Sequence, residues 1–215
     1  MLQRLALKLA EAAAARAEAA GAADHSGEAA AAFGHHARVG GRARPGAWIG
    51  LAICSALLAT ALVALFLSMR DVLDVGGSCA SGGPYEIATP CPSSTWLTAV
   101  AIPALFLFGA GLALAAWRIA GPTAAALPLA CWPAMFLSLG WNFLDYGAIT
   151  PPDGVVDIGF LAPGVVFVLM GAPTLWPLGK LLGRLARQRP ALLIVAADAA
   201  IAGGVGGWLL VQAMG

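Results

Sequence analysis

Asp198 is the one charged side chain placed well inside an apolar stretch of this sequence, AADAAIAGGVGGW. An acid inside a membrane span marks a proton or cation path, a hydrogen bond between helices, or a contact between subunits. All three readings are open for Asp198. It stands eight residues into its stretch, about 12 Å at about 1.5 Å per residue. Gly203 and Gly207 follow as a GxxxG pair, which lets a second helix approach closely. Cys54 and Cys131 stand at a similar distance from the same side of their own stretches, with Trp132 alongside. The common depth raises the idea of one internal pocket lined by Cys54, Cys131, Trp132 and Asp198. The competing reading is two small buried cysteines, the usual fate of that residue.

The missing residues exclude more than the present ones suggest. His25, His35 and His36 all precede the first apolar stretch, so no histidine is available for a haem or a Ser–His pair inside a membrane. No HExxH, Walker, GxSxG or dinucleotide-binding pattern occurs. Asp198 has no second deep acid for an aspartyl protease, and Lys180 is too near an interface for a buried Schiff base. The histidines with Asp24 form at most a weak metal site in a linker. No enzyme, no cofactor and no resident metal are expected.

The elements that must carry these residues follow from composition. Of 215 residues, 60% are hydrophobic and 11% charged, against about 25% charged in soluble domains. Mean hydropathy is +0.83. Twelve Lys and Arg against eleven Asp and Glu leave a net charge of +1, too little for a nucleic-acid binder. Five apolar segments stand out, at about 46–69, 97–117, 122–144, 158–178 and 191–214. Each has roughly the 20 residues that cross a hydrocarbon layer. The fourth is the weakest, being interrupted by Gly159, Pro163, Gly164, Gly171, Pro173 and Pro177. Before them, residues 1–20 have the pattern of an amphipathic helix and 21–45 that of a flexible linker.

Charge sets the expected orientation. With the N-terminus inside, eleven bases fall on the cytoplasmic side and Arg70 alone outside. Trp48, Trp96, Trp117, Trp141, Trp176 and Trp208 then alternate between inner and outer interfaces. The cytoplasmic side carries a net +7 and the outer side −5, so the small total hides a strongly polarised chain.

The outer loop after the first segment contains GGSCASGGPYEIATPCP, with Cys79 and Cys91. The outer face is oxidising, and a disulfide here closes a loop of thirteen residues. In the chain-entropy model that stabilises by about 3 kcal/mol. Free thiols and a redox-active pair are the alternatives, the latter without CxxC spacing. Asp71, Asp74, Glu86, Asp145, Asp153 and Asp157 make the outer face acidic. They read as solvated loop acids, since no cation-loop spacing connects them.

Two motifs, GGSCASGGPYEIATPCP and GWNFLDYGAITPPDG, resemble those of a group of uncharacterised multi-pass membrane proteins from high-GC actinobacteria. The resemblance implies a membrane fold and an actinobacterial source, and no activity. Near the C-terminus, LGKLLGRLARQR puts Lys180, Arg184 and Arg187 on one helical face and leucines on the other. That is an amphipathic segment for the inner leaflet, where anionic headgroups attract it.

The expectation is an all-α integral membrane bundle of five transmembrane helices, N-in and C-out in a plasma membrane, with a disulfide-closed outer loop. Its expected role is that of an accessory or scaffolding subunit, in contact with anionic inner-leaflet lipid and with a protein partner or its own copies. The alternative is a small-solute or proton/cation-coupled transporter using Asp198.

Overall fold

The computed structural model describes residues 45–76, 79, 90–151 and 154–214. The expected helix at 1–20, most of the linker, the tip of the cysteine loop and Asp153 lie outside the described residues. The described part is helical without strands, and five stretches are long and apolar enough to cross a membrane.

The first, α1 (Pro45–Asp74), begins at proline, whose missing N–H costs nothing in a first turn. Its 30 residues make it about 45 Å long. It therefore outruns the apolar segment that ends near residue 69, and Arg70, Asp71 and Asp74 ride on its last turns. A short 3₁₀ turn, Ser93–Thr95, leads into α2 (Trp96–Ala120). The third stretch opens as a 3₁₀ run, Ala124–Ala130, which contains Pro128. It continues as α3 (Cys131–Leu144) and closes on one π turn, Asp145–Ile149.

The expected fourth segment, 158–178, lies within one helical stretch, Ile158–Gln188, whose winding changes at a single 3₁₀ turn. Asp157 caps α4 (Ile158–Gly171) by accepting a hydrogen bond from Gly159 N at 2.7 Å. A 3₁₀ turn at Ala172–Thr174, carrying Pro173, ends the apolar run. Beyond it α5 (Leu175–Gln188) is amphipathic, with Leu185 buried and Lys180, Arg184 and Arg187 exposed. Arg189 leaves the helical region, and Pro190 starts α6 (Pro190–Gln212).

The helices form two groups, joined where the third stretch meets α1 and α2. In one, α1 packs against α2 and, most extensively, α6. Gly203 and Gly207 make the second contact possible. A Cβ on Gly203 would overlap the Ala56 carbonyl, and one on Gly207 would lie 2.8 Å from the Thr60 oxygen. Thr60 Oγ1 uses that closeness to donate to Gly203 O at 2.8 Å. In the other group α3 and α4 form a hairpin. Gly140 lies against Val168 and the Gly164 carbonyl, and the rings of Phe143 and Phe167 meet at 5.5 Å.

Contacts at the helix ends establish that successive stretches alternate in direction. Asp71, Ser94, Asp145 and Met214 gather at one end, where Ser93 Oγ donates to Met214 O at 2.7 Å. The other end is closed by a core of Leu51, Ala116, Ala124, Leu185 and Leu192. Charge divides the same way. Among the described residues, Arg118, Lys180, Arg184, Arg187 and Arg189 lie at the second end, and Arg70 is the only base at the first.

Candidate functional site

Three places in the bundle hold polar or reactive side chains in a defined setting. The first joins α1 to the hairpin. Arg70 Nη2 donates to Asp145 Oδ2 at 2.7 Å, and Thr150 Oγ1 donates to Asp145 Oδ1 at 2.9 Å. Thr150 N closes the π turn on Asp145 O at 2.7 Å. One helical turn before Asp145, Asn142 Nδ2 donates to Phe66 O at 2.9 Å. Asp145 is 8% exposed and Asn142 1%.

The sequence places Asp145 among solvated loop acids; the structure makes it a buried partner of Arg70. The π turn winds it back over α1 instead of releasing it into the loop. With both carboxylate oxygens engaged, its chemistry is that of a clamp, not of a free base or cation ligand. Asp71 Oδ2 is likewise occupied, accepting from Ser94 Oγ. Among the described residues no cluster of three or more His, Cys, Asp or Glu could hold a metal.

Asn142 did not figure as a candidate in the sequence. The available signal was its spacing: an amide three residues before an acid shares that acid's helical face. Its Oδ1 is buried without a hydrogen-bond partner among the described residues, as is the Ser55 hydroxyl.

The second place is a cleft of about 280 Å³ between the two helix groups. Its walls include Ser55 from α1, Leu112 from α2, Cys131 and Ala134 from α3, Leu182 from α5 and Ala197 from α6. Ser55 is 4% exposed. Ala134 and Ala197 are exposed and mark the open side.

Of the four residues that share a depth in the sequence, only Cys131 lines this cleft. Cys54 packs on the same core cluster, facing Gly111 of α2. Trp132 points the other way, with Nε1 donating to Met170 O at 3.3 Å and its ring 4.5 Å from that of Phe136. Asp198 is exposed on the outer face of α6 and has no hydrogen bond or ion pair among the described residues. Equal depth did not bring the four together, because depth leaves the angle around each helix undetermined.

The third place is the basic face of α5. Lys180, Arg184 and Arg187 line a shallow depression with Trp176, and Lys180 Nζ lies 4.7 Å from the Trp176 ring centroid. At the opposite end of the bundle Cys79 and Cys91 are joined in a disulfide, with Cα atoms 4.9 Å apart.

Comparison with known proteins returns no matching family model, no matching curated protein and no matching solved structure.

Proposed function

We propose that this protein is a non-enzymatic subunit of a membrane complex and pairs through α6 with a helix of a different membrane protein. The observation that carries the reading is the Asp198 carboxylate, exposed and without a partner among the described residues, about 12 Å along α6 from Pro190. A lone carboxylate facing lipid at that depth costs on the order of 3 kcal/mol in insertion experiments. A basic or hydrogen-bond-donating side chain on a neighbouring helix removes most of that cost. Among the described residues, this chain's bases sit at helix ends, away from the depth of Asp198, which favours a partner other than a second copy. Ala202 and Gly206 continue the same exposed face at four-residue spacing and leave room for a close partner. Asp198 is not among the residues lining the cleft, which favours association over a transport path.

In this reading the basic end faces the cytoplasm of a plasma membrane in an actinobacterial cell. The C-terminus and the disulfide then lie on the outer, oxidising side. The absence of a catalytic constellation in the sequence supports a scaffolding role.

The test is a photo-crosslinking amino acid at Ala202, activated in the native membrane, with the crosslinked peptide sequenced. The expected product is a transmembrane peptide of another protein with Lys, Arg or His at matching depth. Asp198→Leu abolishes the product, and Asp198→Glu retains it. Crosslinking to a second copy, to lipid alone, or undiminished crosslinking in Asp198→Leu overturns the reading.

A further inference from the structure

We infer that one anionic phospholipid is built into the fold, with an acyl chain in the cleft between the helix groups and its phosphate on the basic face of α5. The cleft is a groove open on one side, with apolar walls. Its about 280 Å³ holds roughly nine groups the size of a water molecule. Left empty, its walls would forgo the dispersion contacts that hold a core together.

Water does not suit the space. A buried water needs two to four polar partners. Among the described residues lining the cleft, the side chains present only the weakly polar thiol of Cys131 and the Ser55 hydroxyl, which has no partner among them. Hydrocarbon does suit it. Alanines such as Ala134 and Ala197 form the open side, so a chain can enter laterally from the bilayer.

The charge at one end selects the lipid. Leu182 of α5 lines the cleft, while Lys180, Arg184 and Arg187 occupy the other face of the same helix. None of these three bases has an acidic partner among the described residues. Their depression, with Trp176 beside Lys180, suits a phosphate at the level where an indole ring also settles. One helix diameter, about 10 Å, separates the two faces. A diacyl lipid is long enough to lap over α5 and reach both. The cleft lies between α3 on one side and α1 and α6 on the other. The lipid chain therefore serves as the missing side of that interface.

The experiment reconstitutes the full chain in nanodiscs of equal dioleoyl phosphatidylglycerol and dioleoyl phosphatidylcholine. After detergent extraction, retained lipid is counted by native mass spectrometry. The expected result is one retained phosphatidylglycerol per chain. Ala134→Phe with Ala197→Phe fills the cleft and lowers retention at least fivefold, with helicity unchanged by circular dichroism. Ala134→Leu, a smaller intrusion, keeps the test open should the double variant not fold, and lowers retention in the same direction. Lys180→Gln with Arg184→Gln and Arg187→Gln abolishes the preference for phosphatidylglycerol while a chain is still held. No retained lipid in the wild type, equal retention of the two lipids, or undiminished retention in a folded cleft-filling variant overturns the inference. None of these readouts depends on a protein partner at Asp198.

Discussion

Replacing Gly203 with alanine tests whether α1 and α6 meet backbone to backbone. The added methyl overlaps the Ala56 carbonyl, and real Cβ contacts are essentially never closer than 3.0 Å. The obstacle is main chain, which cannot rotate aside, so the helices must part. Overpacking of this kind costs about 1–3 kcal/mol. Parting the helices also stretches the Thr60 Oγ1–Gly203 O bond of 2.8 Å. Such interhelical bonds contribute on average about 0.6 kcal/mol in membranes. Against this, alanine favours the helix over glycine by about 0.5–1 kcal/mol. The net expectation is a loss of about 1–3 kcal/mol.

Gly206→Ala is the internal control. It makes the same chemical change one turn away in the same helix, with nothing within 4 Å of the new methyl. It should be neutral or slightly stabilising. Gly207→Ala should fall between them, its methyl meeting the Thr60 oxygen at 2.8 Å. Reversible unfolding by sodium dodecyl sulfate in mixed micelles, followed by circular dichroism, measures all three. If Gly203→Ala and Gly206→Ala agree within about 0.5 kcal/mol, α1 and α6 are not in backbone contact and the reasoning is refuted.

Other consequences are open to the same assay. Arg70→Gln and Asp145→Asn should each destabilise, and their double-mutant cycle should give a coupling of about 1 kcal/mol, limited by the partial exposure of Arg70. A coupling of zero would remove the clamp from the account of how the hairpin is held. Asn142→Asp should cost at least about 2 kcal/mol, because a buried carboxylate cannot donate to Phe66 O. Asn142→Leu should cost less, since it also removes the unpartnered Oδ1; the reverse order would show that the amide is not buried. Cys79→Ser should lose about 3 kcal/mol, the loop-closure value for a link between residues twelve apart. Dithiothreitol should lower the wild type to the same level and leave the variant unmoved.

Much of the architecture is legible in one dimension because it depends on local quantities. Five apolar runs of membrane length and the turn residues between them translate directly into helices, since unpaired backbone is intolerable in hydrocarbon. The placement of bases at one end and acids at the other follows from where the chain turns. The GxxxG pair at Gly203 and Gly207 also marks a contact face by itself, because only absent side chains permit that approach. The tertiary structure decided what depends on rotation about helix axes and on separation in the chain. It turned Asp198 outward, put Cys131 on a cleft wall and aimed Trp132 at Met170. It brought Arg70 to Asp145 across 75 residues and Asn142 to Phe66 across 76. Helical periodicity reports that a residue has a face. Which neighbour that face meets is chosen by the packing of whole helices, a choice no single stretch of sequence makes alone.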